Sequence, residues 1–255
     1  MLLISTIHMV EQEISKSYAL GFSEFQYKGI SISLFRRWLK YLQFRYKIVS
    51  LPEGILQLRE PGRDLAAITF DDGYESIYRV AFPILYELKV PMTIFLATDY
   101  IGENWRAGNH NDGKQMLSWS QIREMNNYGC SFGAHTCSHP VLRNISDVKA
   151  LDEIARSKKI IEDQLGKAVS MFAYPFGYAK SFLPKHEKFV EETGFRYAFS
   201  MIEGFNRVTT NPWALRRVYP SYPTFVMETS LIMKDLCEQI GMLNDVREWR
   251  WQSHR

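Results

Sequence analysis

An apolar run that ends in two adjacent carboxylates constrains this chain more than any other feature. Leu65 to Phe70 has the length and the β-branched content of a buried strand, and Asp71, Asp72 and Gly73 follow it directly. Reactive groups collect at the carboxyl ends of strands in parallel α/β folds. Two neighbouring carboxylates resist burial unless a cation or a shared proton compensates their charge. Because Asp-Asp-Gly is also ordinary turn chemistry, this motif alone fits a turn as well as a cation site.

A second strand-like segment, Cys130 to Ala134, runs into two histidines four residues apart. On a helical turn His135 and His139 would share one face and could bind one metal ion, and Pro140 would end any helix there. Two imidazoles and one carboxylate form an open ligand set for catalytic zinc or a similar divalent ion. Cys137 lies between them, and the high burial of cysteine predicts a packed residue rather than a ligand.

Strand-like and helix-like segments alternate along the chain, which predicts a parallel sheet with about seven or eight βα units. Expected strands include Leu2–Ile7, Met92–Ala97, Phe195–Ser200 and Ala214–Val218. Serine caps predict helix starts at Ser31 or Ser33, Ser118 and Ser146, and a final helix is expected at 224–240. Pro83 predicts a kink or a break in the helix after Gly73, and the early acids of the long helix that Ser146 caps, among them Glu153, suit its macrodipole.

Length and composition fit one globular domain over residues 1–255, without a linker or an internal repeat. The net charge of +3 is too small to indicate a nucleic-acid partner. Three cysteines without paired spacing fit a reducing compartment. Residues 1–10 lack the features of a signal peptide, and no apolar run reaches the roughly 20 residues of a membrane span. We therefore expect a cytoplasmic protein.

A third strand-like segment, Met171 to Ala173, leads into Tyr174, Pro175, Phe176 and Gly177. In this order and spacing, Thr-Phe-Asp-Asp-Gly, His-Thr-x-x-His-Pro and Tyr-Pro-Phe-Gly resemble the polysaccharide deacetylases, the NodB-homology domain of carbohydrate esterase family 4. The resemblance covers about residues 65–204, with 1–64 as an N-terminal strand, helix and strand of the same barrel. It implies a distorted (β/α) barrel that hydrolyses the N-acetyl group of an amino sugar.

The resemblance also implies roles for the motif residues. Asp72, His135 and His139 would bind a divalent metal, most suitably zinc, although cobalt, nickel, manganese and iron can use the same set. Asp71 would be the general base, and the backbone N–H of Phe176 would help to form the oxyanion hole. Tyr174 and Pro175, from the same motif, are expected to border the substrate.

Two functional residues of the family pattern are missing from their usual positions, so other residues would have to replace them. The family has an arginine that orients the base where this chain has Ala173. Arg216 or Arg217 could supply that cation, although each fits a surface arginine equally well. Arg217 is also a candidate substrate contact. The C-terminal Leu-x-His of the general acid is absent. Circularly permuted members carry a Tyr-His-x-Val strand ahead of Asp-Asp-Gly, and residues 7–10 resemble it, so His8 is the predicted acid.

The sequence says less about which substrate is bound than about which reaction is catalysed. Trp105 and His110 lie in a polar insertion, 102–114, and are predicted sugar contacts. The expected compartment favours a nucleotide-linked, lipid-linked or oligosaccharide intermediate over a wall polymer. The tail 247–251 could contact an anionic membrane, or it could be a packed terminus or an oligomer contact; the oligomeric state is open. Two alternatives remain: a hydrolase of a non-sugar amide, and a non-catalytic glycan-binding protein.

Overall fold

The computed structural model describes residues 1–12, 29–60, 62, 64–105 and 113–220. Its strands are Leu2–Ile7 (β1), Val10–Glu11 (β2), Ile30–Ser31 (β3), Lys47–Ile48 (β4), Leu65–Phe70 (β5), Met92–Leu96 (β6), Ser131–Ala134 (β7), Met171–Ala173 (β8) and Tyr197–Phe199 (β9). Its α-helices are Ile32–Arg45 (α1), Leu51–Leu56 (α2), Phe82–Glu87 (α3), Trp119–Asn127 (α4), Asp147–Leu165 (α5) and Pro184–Glu192 (α6). The expected helix at 224–240, the tail 247–251 and His110 lie outside the described residues.

Seven of the described strands form one parallel sheet in the order β1-β5-β6-β7-β8-β9, with β4 also paired to β5. The first strand therefore lies beside the Asp-Asp-Gly strand, in a register that runs from Leu2 opposite Leu65 to Ile7 opposite Phe70. Since all seven strands are parallel, their carboxyl ends meet at one end of the sheet. This is the distorted α/β barrel that the sequence predicted.

The segment 214–218 links the two edges of the curved sheet, but it is not the continuous strand that was predicted. It forms isolated parallel bridges to each edge, Leu215 to Phe199 of β9 and Val218 to Ser5 of β1. The Val218 N–H donates to the Ile4 carbonyl at 2.8 Å, and the Leu215 N–H donates to the Ala198 carbonyl at 2.8 Å. Because the segment crosses from one edge to the other, it pairs with each strand too briefly to form a ladder.

Side chains alternate between the two faces of each long strand, as the two-residue period of a strand requires. On β1, Leu3 and Ile7 pack in the outer core under the helices, while Leu2 and Ile4 pack in the barrel interior. On β5 the inward set continues from Ala67 to Thr69 and then to Asp71. The barrel interior is therefore polar at the carboxyl end of β5.

The predicted helix caps are confirmed. Ser31 caps α1, Ser118 and Gln121 form a capping box on α4, and Ser146 caps α5, which ends at Gly166 with φ +65°. At Pro83, in α3, the helix does not break; the turns before it are π-helical instead of α-helical. Pro83 has no N–H for the preceding turn, and Ile77–Ala81 is π-helical.

Helix α2 contains both Pro52 and Gly54, residues that often mark turns. Pro52 is tolerated because it occupies the first helical turn, where its missing N–H has no intrahelical acceptor. None of the described helices combines the length and the apolar composition needed to cross a lipid bilayer.

Candidate active site

The three motifs and the end of β1 converge on one pocket at the carboxyl end of the sheet. The residues that line it are His8, Asp71, Asp72, His135, His139, Tyr174, Phe176, Tyr178 and Met201. The two carboxylates follow β5, the two histidines follow β7, and the Tyr-Pro-Phe-Gly turn follows β8. Parallel pairing of β5, β6, β7 and β8 is what brings these separate segments together.

Asp72, His135 and His139 form a compact, buried cluster of metal-ligand atoms. The Asp72 Oδ1 atom lies 3.4 Å from each histidine Nε2, and one ligand atom from each residue lies within 4.8 Å of the others. Tetrahedral ligands about 2.1 Å from a zinc ion are about 3.4 Å apart, so this spacing fits the ion. Asp72 Oδ1 is also buried without a hydrogen-bond donor among the described residues. The donor set and its spacing fit a divalent cation.

The His135 ring is oriented by the neighbouring strand. Its Nδ1 lies 2.7 Å from the carbonyl oxygen of Ala173 at the end of β8. A carbonyl can only accept, so Nδ1 carries a proton and Nε2, which faces Asp72, is the nitrogen available to a metal ion once it is deprotonated. The residue at the position of the family arginine therefore contributes its backbone to the site.

The two histidines do not lie on a helical turn, so that part of the prediction is wrong. Residues 135–140 form a loop in which Thr136 and His139 have φ of +66° and +54°. Left-handed backbone is uncommon outside glycine and is costly for a β-branched residue. This loop, rather than a helical turn, brings the two ring centroids to 4.8 Å.

Burial and mutual charge set the ionisation of the ligand cluster in the metal-free protein. Burial opposes the charge of Asp72, but His139, His135 and His8 outweigh it and hold its pKa well below the usual range. Burial also opposes protonation of His135, but Asp72 and Asp71 outweigh it and raise its pKa. For His139, burial dominates and lowers the pKa to about 3. One histidine of the pair therefore holds a proton more readily than the other.

Asp71 forms a bidentate ion pair with Arg217 inside the barrel. Arg217 Nη1 and Nη2 each lie 2.7 Å from one carboxylate oxygen, and both side chains are buried. Burial raises the pKa of Asp71, but the charges of Arg217 and His135 outweigh it, so the pKa lies below its ordinary value. Asp71 is thus held ionised and in one orientation.

Arg217 enters the barrel from the closing segment 214–218 and is held on several sides. Its Nε donates to the Ser200 carbonyl at 3.0 Å, Nη1 donates to Thr6 Oγ1 at 3.2 Å, and the guanidinium lies 5.5 Å from the Phe95 ring centroid. The side chain has no exposed surface, so direct contact with a substrate, the second role predicted for it, is incompatible with its position. Arg216 points elsewhere and lies over Gly204.

His8 and Phe176 both line the pocket that holds the ligand cluster. His8 Nδ1 is buried without a hydrogen-bond partner among the described residues, and its ring centroid lies 6.1 Å from that of Tyr219. Phe176 has φ +60°, and its ring centroid lies 4.9 Å from that of His139. The Phe176 ring therefore packs against one histidine of the cluster.

The predicted substrate contacts are less accessible than expected. Tyr174 borders the pocket but is fully buried, stacks on Phe182 at 3.9 Å, and donates its hydroxyl to the Trp213 carbonyl. Pro175 is buried and does not line the pocket. Trp105 is 4% exposed and packs edge-on against His139 at 5.1 Å, so it supports a ligand rather than presenting a sugar platform.

Three residues of this site were not predicted from the sequence: Tyr178 and Met201, which line the pocket, and Glu153, which bonds the histidine loop. Glu153 of α5 is buried, and it accepts hydrogen bonds from the loop between the two histidines. The helix macrodipole was the expected reason for its charge. A signal was present, because Glu153 shares a helix face with the apolar Ala150, Ile154 and Ile161, where an unexplained charge is unusual.

Comparison with known proteins gives one consistent family. The family model described as polysaccharide deacetylase matches residues 59–198. The Bacillus subtilis (strain 168) protein YxkH, named as a polysaccharide deacetylase, is 29% identical over 68% of this chain and 58% of its own length. The poly-beta-1,6-N-acetyl-D-glucosamine N-deacetylase of Staphylococcus aureus (strain MSSA476) is 28% identical over 77% of this chain and 69% of its own length. The chain thus spans less than two thirds of the first relative.

Solved structures share the fold over almost the whole chain. IcaB from Ammonifex degensii has a TM-score of 0.72 and 25% identity, covering 90% of this chain and 96% of that chain. The Streptococcus pyogenes deacetylase PplD, solved in complex with acetate, has a TM-score of 0.74 and 22% identity, covering 90% of this chain and 97% of that chain. The second likeness shows the fold alone.

Proposed function

The chain belongs to the polysaccharide deacetylase family, and from that premise we propose that it hydrolyses the N-acetyl group of N-acetylglucosamine residues in a glycan, releasing acetate. The name of the Staphylococcus aureus relative supports a β-1,6-linked polymer as the first substrate to test. A small biosynthetic intermediate, favoured by the expected cytoplasmic location, is the second. That location stays a prediction.

One observation carries the proposal: an ionised, oriented carboxylate adjoins a complete metal-ligand cluster in the same pocket. Asp71 is held by Arg217 at 2.7 Å, and the next residue, Asp72, belongs to the cluster with His135 and His139. A divalent cation bound there would act as a Lewis acid toward the acetyl carbonyl and would make a nearby water molecule more acidic. Amide hydrolysis needs both this polarisation and a base.

Asp71 is the proposed base, which accepts a proton as water attacks the acetyl carbon. Arg217 keeps it ionised and fixes the direction of its free lone pairs. The carbonyl oxygen becomes negative in this step, and the turn at Phe176 supplies a backbone N–H to stabilise it. With Ala173 at the family arginine position, we assign the orienting role to Arg217, which reaches Asp71 from the closing segment 214–218.

His8 is the proposed acid that protonates the sugar nitrogen as the C–N bond breaks. It lies at the end of β1, which pairs with β5 and so places the imidazole on the same pocket as Asp71. Proton transfer to the leaving amine completes hydrolysis to acetate and a free amino sugar. Replacement of His8 by alanine is expected to lower kcat while metal binding persists.

The test is acetate release from β-1,6-linked N-acetylglucosamine oligomers, chitin oligomers and N-acetylated nucleotide sugars. Metal-stripped protein is compared with zinc- and cobalt-loaded protein and with Asp71→Asn. We expect acetate release to require metal and to fall about 10²- to 10⁴-fold in Asp71→Asn, the range that a general base contributes. Metal content and thermal unfolding of the variant control for damage to the site or the fold.

Stoichiometric metal with no acetate from any substrate would contradict catalysis and favour a glycan-binding protein on this scaffold. Acetate from nucleotide sugars and none from oligomers would select the small intermediate. Equal activity in Asp71→Asn would remove Asp71 from the role of base.

A further inference from the structure

One buried carboxylate holds the loop that carries both histidine ligands. Glu153, 3% exposed, lies on α5 and points its carboxylate at residues 137 and 138. Its Oε2 accepts the backbone N–H of Cys137 at 2.9 Å and that of Ser138 at 2.8 Å. Its Oε1 accepts the Ser138 hydroxyl at 2.6 Å. Both oxygens of the carboxylate are therefore bound by the two residues just before His139.

The loop needs such support because its backbone is strained. Thr136 and His139 both have positive φ, and Thr136 is β-branched. Strained backbone persists only where its surroundings over-determine it. On the opposite side of the loop, the carbonyls of residues 136 and 137 accept the N–H groups of Thr98 and Asp99 at 3.2 and 3.0 Å. Glu153 binds the amides and the 98–99 turn binds the carbonyls, so the loop is clamped from both sides.

The position of Glu153 is not explained by an ion pair. Among the described residues, no basic side chain pairs with its carboxylate. The helix is fixed in place by buried apolar residues on the same face, Ala150, Ile154 and Ile161. A buried carboxylate needs hydrogen-bond donors, and here the histidine loop supplies them. The geometry therefore couples the rigid helix α5 to the spacing of His135 and His139.

We propose that Glu153 is a positioning residue for the metal centre, which acts by fixing the backbone between the two histidine ligands. The inference rests on the proposed function, because it concerns the same ligand cluster. The carboxylate of Glu153 bonds residues 137 and 138 and does not belong to the ligand cluster of Asp72, His135 and His139. Its hydrogen bonds would hold the ligand nitrogens at tetrahedral spacing in the metal-free protein. Residues that support metal ligands in this way commonly orient them for binding.

The experiment measures zinc affinity by chelator competition and records the visible spectrum of the cobalt-loaded protein. Glu153→Ala removes all three hydrogen bonds, and we expect about 10- to 100-fold weaker zinc binding and an altered cobalt spectrum. Glu153→Gln can keep all three, because its amide oxygen accepts the two N–H groups while its NH₂ donates to the Ser138 hydroxyl. It should bind zinc nearly as tightly as the wild type.

Asp152→Asn is the matched control, since it removes a negative charge one residue earlier on the exposed face of the same helix. Unfolding of each metal-free variant shows whether it folds. If Glu153→Ala does not fold, Ser138→Ala removes one of the three bonds and is expected to weaken zinc binding by a smaller factor.

Zinc affinity equal to the wild type in folded Glu153→Ala, or in Ser138→Ala where that variant replaces it, would overturn the inference. Equal losses in Glu153→Gln and Glu153→Ala would also overturn it, because charge rather than hydrogen bonding would then matter. A wild type that binds no zinc or cobalt would overturn the metal site of the proposed function itself. The two failures are thus distinguishable.

Discussion

At the residue scale, the pairing of Asp71 with Arg217 decides the ionisation of the proposed base. Burial alone would raise the pKa of Asp71, and the guanidinium reverses that effect. In Arg217→Met the effect of burial remains while the cation is lost, so the pKa of Asp71 should rise by about 1 to 3 units. The acidic limb of kcat/KM against pH should shift upward by the same amount, because the base works only when ionised.

Arg216→Met is the control for this prediction, as its side chain lies over Gly204 and away from Asp71. Arg216→Met should not shift the acidic limb of kcat/KM against pH. An acidic limb that stays where it is in Arg217→Met would show that Arg217 does not govern Asp71. The free energy of unfolding of Arg217→Met should fall by about 3 to 5 kcal/mol at a pH where Asp71 remains charged, because the buried ion pair is lost. Thermal unfolding measures this change.

The two histidine ligands predict a specific pH dependence of metal binding. The raised pKa of His135 means that the metal-free protein holds a proton there which the metal must displace, whereas His139, with its pKa lowered to about 3, is already neutral. Below the pKa of His135, zinc affinity should fall about tenfold per pH unit, and above it the affinity should level off.

Isothermal titration in buffers of different ionisation enthalpy measures this proton release directly. One proton released per zinc bound below the plateau is the expected result. Release of two would show that both histidines are protonated in the free site, contrary to the asymmetry inferred from their burial and charges.

At the element scale, strand β7 positions the first histidine, and one glycine lets it lie close to its neighbours. A Cβ atom on Gly133 would lie 2.6 Å from the Phe95 ring and 2.8 Å from the Met171 carbonyl oxygen of β8. Gly133→Ala should therefore destabilise the protein by about 1 to 3 kcal/mol. We expect zinc affinity to fall as well, since β7 must move relative to β8 and His135 bonds the carbonyl at the end of β8.

Gly62→Ala is the control, because none of the described residues has an atom within 4 Å of the added Cβ. Chemical denaturation of both variants measures the change in free energy of unfolding. Equal stability of Gly133→Ala and the wild type would mean that the β7–β8 spacing is looser than these contacts indicate.

At the scale of the whole molecule, the segment 214–218 both closes the sheet and carries Arg217 to Asp71. Asn206, fully buried, bonds the backbone of Arg216 through both side-chain groups at 2.8 Å and pairs its own backbone with Leu2. It thus ties the closing segment to β1. In Asn206→Ala two backbone groups of Arg216 lose their partners, and we expect a loss of about 2 to 4 kcal/mol in stability.

The same variant should lose deacetylase activity, because Arg217 follows Arg216 directly and its guanidinium must reach Asp71. Asn144→Ala, at an exposed position, is the control and should change stability by no more than about 0.5 kcal/mol. Full activity in a destabilised Asn206→Ala would show that the segment can shift without displacing Arg217.

Local sequence patterns by themselves determined much of this protein. The metal-ligand roles of Asp72, His135 and His139 were implied by a family resemblance that joins three motifs far apart in the chain. Most strands and the serine caps could be predicted because each depends on residues close together in sequence. The conformation of the histidine loop could not, since its left-handed residues are held by contacts from α5 and from residues 98–99 rather than by local propensity.

The tertiary structure alone decided which arginine pairs with Asp71, a partner 146 positions away along the chain. It likewise decided that Trp105 is buried behind His139 and that Glu153 faces the histidine loop. The physical reason is the same in each case. A buried charge or ring is placed by whichever segments close over it, and which segments do so depends on how the whole sheet curves and closes.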